Sequence, residues 1–120
     1  MKAASQTRPA VMVRPRISIG GAIAIGPGKI DLLCRIAESR SISAAARAMG
    51  LPYKRAWLLI DSLNRGFGRP VVEAIAGGKG GGGARLTPLG EALITHYAAL
   101  EAKLNATAQP ELDALSNLAD

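Results

Sequence analysis

A mainly α-helical chain with a little β-structure is what three features of these 120 residues predict. Apolar residues recur at helical spacing over residues 29–38, 53–65 and 88–104. Isoleucines alternate with small residues over 17–25, around a glycine pair. A block of glycines over 77–83 separates two short β-like runs. One domain fits this length, with an appended helix. The predicted boundaries are a flexible basic arm over 1–14, a domain over 15–87 and linker helices over 88–120.

Residues 1–14 carry Lys2, Arg8 and Arg14 with little apolar pattern, so they read as a loose arm that could lie along phosphates. In the stretch Arg16 to Gly26 the phase of the isoleucines chooses the turn. A two-residue loop would put the isoleucines of the two strands on opposite faces. A three-residue loop over 20–22 pairs Ile19 with Ile23 and Ile17 with Ile25, so that all four share one buried face. An isolated hairpin is marginal in water and must pack on helices or on a second subunit. Pro27-Gly28 then breaks the chain, and a support helix is expected from about Lys29 to Glu38, with Ile30, Leu33, Ile36 and Ala37 inward.

The chain is organised around residues 41–65. Ser43 is placed to cap a short helix. Gly50 can end it in a left-handed conformation, and Pro52 suits the start of a second helix. In that helix Ala56, Ile60 and Leu63 share a face, with Tyr53 and Trp57 beside them, and Trp57 is expected in the core. Two short helices joined by a glycine-containing turn make a helix-turn-helix; an ordinary helical hairpin is the plainer alternative. After the second helix, Val71 to Ala76 reads as a strand and Ala84 to Leu86 as its return. The loop between them, containing Gly78, Lys79 and Gly80, lacks the Ser or Thr that a nucleotide-binding loop needs after its lysine. A strand-loop-strand following a recognition helix is the layout of a wing, so the predicted fold is a winged helix-turn-helix. Its glycines let backbone N–H groups approach a phosphate and Lys79 supplies charge; a passive loop is the alternative.

Thr87 caps the last long helix and Pro88 occupies its first turn. Leu89, Leu93, His96, Tyr97, Leu100 and Leu104 form a stripe longer than a three-helix core can cover, so part of it is expected to face another subunit. Pro110 is expected to interrupt this helix and leave a short final one.

The charge is uneven. Residues 1–86 hold 14 Lys and Arg against 4 Asp and Glu, while residues 87–120 hold 1 against 5. A basic front suggests a polyanion as partner. Cys34 is the only cysteine, which excludes a disulfide framework and Cys-Cys zinc spacing, and a buried inert thiol is its expected role. No apolar run approaches the ~18 residues that cross a bilayer, and no secretion signal opens the chain, so a cytoplasmic location is expected. One histidine, one cysteine and scattered acids offer no acid/base or nucleophilic constellation. No enzyme activity and no cofactor is expected.

These features point to duplex DNA. Phosphate contacts are expected from Lys54, Arg65, Lys79 and Arg85, with Arg47 and the arm, and from the hydroxyls of Ser41 and Ser43 near a helix start. Base readout falls to Tyr53, Lys54 and Arg55, where Arg55 can make a bidentate contact to guanine. Leu58 and Leu59 flank the face that would meet DNA and motivate a second reading, a protein-interaction or small-anion module on the same fold.

From about Arg16 to Leu100 the sequence also resembles the N-terminal DNA-binding domain of the ModE family of molybdate-responsive regulators, itself similar to the LysR type. The residues that carry this are Ser41-Ile42-Ser43, Ala44 to Ala46, Tyr53-Lys54-Arg55-Ala56-Trp57, and Gly77 to Ala84 followed by Leu86-Thr87. The resemblance implies a homodimeric regulator on a roughly two-fold operator, possessing a glycine-rich wing and linked to molybdenum-related genes. It implies dimerisation through the N-terminal strands, with Ile17 and Ile19, and the long helix, with Leu89, Leu93, Tyr97, Leu100 and Leu104. Full-length family members bind molybdate in a separate C-terminal module. None is seen in these 120 residues, so molybdate binding by this chain is not expected.

Overall fold

The computed structural model describes residues 11–78 and 81–119. In chain order it contains β1 (Ile17–Ile19), β2 (Ile23–Ile25), α1 (Pro27–Ser39), α2 (Ile42–Ala48), α3 (Tyr53–Phe67), β3 (Val72–Gly78), β4 (Gly81–Leu86) and α4 (Pro88–Leu118). The strands form two separate antiparallel hairpins beside the helices, the mainly α architecture that the sequence predicts.

The first hairpin has the register set by the isoleucine phase, Ile17 opposite Ile25 and Ile19 opposite Ile23. Gly20 and Gly21 turn the chain at φ +58° and +76°, where a side chain would be strained. The isoleucine face is buried unevenly. Ile25 is in the core, Ile17 and Ile23 pack against its edge, and Ile19 remains 46% exposed.

The core is a three-helix cluster. Leu32, Leu33 and Ile36 of α1 meet Ala45 and Ala46 of α2, and Ala56, Ile60 and Leu63 of α3 close it together with Val71. α1 starts two residues earlier than predicted because Pro27 serves as its first residue, where the missing N–H costs nothing. Leu32 takes the inward place expected of Ala37, which is exposed. Cys34 is half-buried beside Asp31 and Glu38; burial first, and then those carboxylates, push its thiol pKa up.

The second hairpin is longer than its sequence suggests. β3 and β4 run into the glycine block as far as a Gly78–Gly81 pair, with an irregularity between Ile75 and Gly78. Glycine is depleted in strands on average, which hid this, but it keeps both ladder hydrogen-bonding groups. Lys79 and Gly80 lie outside the described residues.

α4 is one helix of 31 residues, about 46 Å long. The expected break at Pro110 does not occur. Proline removes one helical hydrogen bond and crowds the preceding turn, yet good helix formers on both sides, among them Ala106, Ala108, Glu111 and Ala114, favour continuation. Residues 11–15, of which 11–14 belong to the predicted loose arm, run along α4. Asn105 holds both backbone groups of Val13, accepting at 2.8 Å and donating at 2.9 Å. The Tyr97 hydroxyl donates to the Pro15 carbonyl at 2.7 Å. Burial, then the charge of Glu101, raise its phenol pKa. The rest of the arm, residues 1–10, lies outside the described residues.

Candidate nucleic-acid interface

Three local devices set the pose of α3. Ser41 caps α2, its Oγ accepting from the Ala44 N–H at 3.0 Å. The cap is therefore Ser41 and not Ser43, which lies exposed in the first turn. At the other end of α2, Gly50 adopts φ +68° and the Leu51 N–H reaches back to the Ala46 carbonyl at 2.9 Å, the bond that closes a Schellman cap. Pro52 then releases α3, its carbonyl accepting from the Arg55 and Ala56 N–H groups.

α3 buries Ala56, Ile60 and Leu63 and leaves Tyr53, Lys54, Arg55, Trp57, Leu58 and Arg65 exposed. Trp57 is 44% exposed, contrary to its expected place in the core. Its position in the helix lies between the buried and outward faces, and the small Ala56 fills the inward place. Leu59 does pack on the core, whereas Leu58 points outward and is 52% exposed.

The start of α3 adjoins the root of the second hairpin. Ser41, Ile42, Ser43, Tyr53, Gly83 and Ala84 line one shallow depression. The Ala84 N–H donates to the Arg40 carbonyl at 3.0 Å, tying β4 to the turn between α1 and α2. A side chain at Gly83 would meet that carbonyl oxygen at 2.7 Å. Gly83→Ala is therefore expected to cost about 1–3 kcal/mol, read as a lowered urea midpoint with unchanged slope; an unchanged midpoint would contradict this docking.

Charges on this surface differ in their availability. Arg65 is paired with Asp61 at 2.9 Å and Arg85 with Glu73 at 2.8 Å, so both sequence-predicted phosphate ligands already have partners. Such exposed pairs are worth only about 0–1 kcal/mol and exchange readily for a phosphate. Among the described residues no ion pair engages Arg47, Lys54 or Arg55. Arg14 is drawn away from this role. It bridges Asp31 at 2.7 Å and Glu101 at 3.1 Å, and those hydrogen bonds, Asp31 first, raise its pKa. Gly78 takes part in the hairpin ladder. Lys79 and Gly80, on which the predicted wing contact rests, lie outside the described residues.

Sequence reasoning missed Arg40. It ends α1 at φ +58°, a conformation that glycine adopts at lower cost; its N–H donates to the Ile36 carbonyl at 2.7 Å and its carbonyl accepts from Ala84 of β4 at 3.0 Å, and these bonds hold the turn. The one available signal was the lack of glycine after α1. Of the residues assigned to dimerisation, Tyr97 is buried within its own chain, Leu89 and Leu93 pack on the core, and Leu104 is half-buried. Ile17 packs on the core edge, while Ile19 and Leu100 are open at 46% and 36%.

A capped short helix, a glycine turn, a second helix with an exposed basic start and a β-ribbon beside it define a winged helix-turn-helix protein. The chain belongs to the bacterial regulatory helix-turn-helix proteins of the lysR family, whose pattern matches residues 28–91. It is similar to the molybdenum-pterin-binding protein MopB of Rhodobacter capsulatus, 51% identical over 65% of this chain and 29% of that protein. It is also similar to the molybdenum transport protein ModE of Azotobacter vinelandii, 40% identical over 78% of this chain and 33% of that protein. The DNA-binding transcriptional dual regulator ModE of Escherichia coli K12 is 48% identical over 59% of this chain and 27% of its own length. The match thus spans about a third or less of each relative. The resemblance to ModE regulators read from the sequence is borne out. Among the described residues no helix is long and apolar enough to cross a membrane.

Proposed function

We propose that this chain is a DNA-binding transcription regulator that lays α3 in the major groove and sets the glycine ribbon against the phosphate backbone. The observation that carries this is the shared surface of the α3 start, the α2 start and the ribbon root, together with exposed Arg47, Lys54 and Arg55 on those two helices, which have no ion-pair partner among the described residues. Phosphate neutralisation supplies most of the affinity. Tyr53, Lys54 and Arg55 face base edges, and the hydroxyls of Ser41 and Ser43 donate to phosphate. The related regulators, one of them named as DNA-binding, support this reading over an anion- or protein-binding module without DNA activity. Their names also motivate molybdenum-related genes as the targets.

Gel shifts across salt test the proposal. Wild-type protein should bind duplex with a steep salt dependence. Lys79→Ala should weaken every sequence alike and flatten the slope by about one unit. No shift even in dilute buffer would reject the function.

A homodimer joined through α4 completes the reading. The Cα radius of gyration is 17.1 Å, against about 14 Å for a compact domain of this length, because α4 projects beyond the core. On that projection Leu115 and Leu118 are 57% and 82% exposed. Sedimentation should return about twice the chain mass of 12.4 kDa; a monomer at tens of micromolar would refute this interface.

A further inference from the structure

Leu58 and Trp57 leave 52% and 44% of their surface open on α3. With Lys54 and Asp61 they line one depression on its outward side. Tyr53, 50% exposed, lies one turn before Trp57. Large apolar side chains gathered on one exposed face mark a binding surface, and the four-residue spacing of Lys54 and Leu58 places them side by side. The surroundings narrow the occupant. Lys54 lines the depression and Arg55 follows it in the exposed first turn of α3, and neither has an ion-pair partner among the described residues. The acid in the depression, Asp61, is neutralised by Arg65 at 2.9 Å. An apolar protein partner would have to bury those cations unpaired, at high cost. A polyanion that also presents apolar groups suits both halves of the surface. In the major groove the apolar group on a base edge is the C5-methyl of thymine.

We propose that Leu58 and Trp57 read thymine methyl groups in the major groove, while Lys54 between them answers a neighbouring phosphate or acceptor edge. This rests on the reading of α3 as the recognition helix. It makes the operator thymine-bearing at the positions under the middle of α3. Hydrogen bonds contribute nothing to that part of the discrimination.

The test begins with duplexes selected from a random library by wild-type protein. Single thymines are then replaced by deoxyuridine, which pairs identically with adenine and lacks only the methyl. Wild-type affinity should fall about fourfold at one or two thymines, the effect of exposing one buried methyl. Leu58→Ala should be indifferent to the exchange at one of them and Trp57→Ala at the same or the adjacent one. Melting curves confirm that both variants fold, as expected for exposed positions. Affinity unchanged by every uracil, or losses that persist in both variants, overturns methyl readout and leaves DNA binding intact. Failure of wild-type protein to enrich any duplex in dilute buffer overturns the DNA reading itself, and this inference with it.

Discussion

Gly90→Ala should lower the melting temperature by roughly 10 °C, the effect of about 3 kcal/mol on a domain of this size. The cause is a junction that has no room. A Cβ at residue 90 would fall on the Val71 carbonyl oxygen and approach Leu86 Cβ at 3.2 Å. Val71 cannot yield, because it is held on both sides. Its N–H donates to Asn64 Oδ1 of α3 at 2.8 Å, and its carbonyl accepts from the Thr87 N–H at 3.0 Å. Thr87 Oγ1 donates to the Pro70 carbonyl at 2.9 Å and accepts from the Gly90 N–H at 3.1 Å. These bonds join α3, the residues 70–71 that lead into β3, and the start of α4, so an added methyl must break some of them. The sign is diagnostic, since alanine favours a helix over glycine by about 1 kcal/mol where space allows. Gly28→Ala in α1, with nothing within 4 Å of the added atom, should be neutral or stabilising by up to about 1 kcal/mol. Calorimetric scans of both variants would decide, and a stabilised Gly90→Ala would remove the junction from the account.

Arg55→Ala should weaken binding to the preferred operator by about 1–3 kcal/mol, roughly 5- to 150-fold, and blur the choice at one base pair. Arg55 is exposed in the first turn of α3 and lines a cleft with Arg16 and Lys29 of the hairpin side. Lys29 is occupied there, its Nζ donating to the Ala24 carbonyl at 2.8 Å and Ser62 Oγ at 3.1 Å. A planar guanidinium free to reach a guanine edge gives specificity that a lysine point charge does not. Titrations of operator and random duplex separate the roles. Loss on the operator alone supports base readout. Equal losses on both would make Arg55 a phosphate contact of the cleft.

Short-range chemistry made much of the fold legible. The isoleucine phase over 17–25 selected the hairpin register, because a one-residue slip turns every side chain to the other face. Gly50 and Pro52 marked the turn between α2 and α3, and Thr87-Pro88 marked the start of α4, because capping depends on neighbours in the chain. The basic start of α3 was likewise readable from residues 53–55. Other features depend on partners distant in the chain. Asn105 and Tyr97 pin residues 13 and 15 to α4 across more than eighty positions, which no local pattern announces. The left-handed Arg40 is explained by Ala84, and the need for glycine at 83 and 90 by carbonyls of Arg40 and Val71. Periodicity put Ala56 inside with Ile60 and Leu63, as found, but the expectation that Trp57 joins them in the core fails, because packing leaves the indole 44% exposed. Helical spacing and caps are properties of a few adjacent residues, whereas exposure and steric room exist only once separate segments have met.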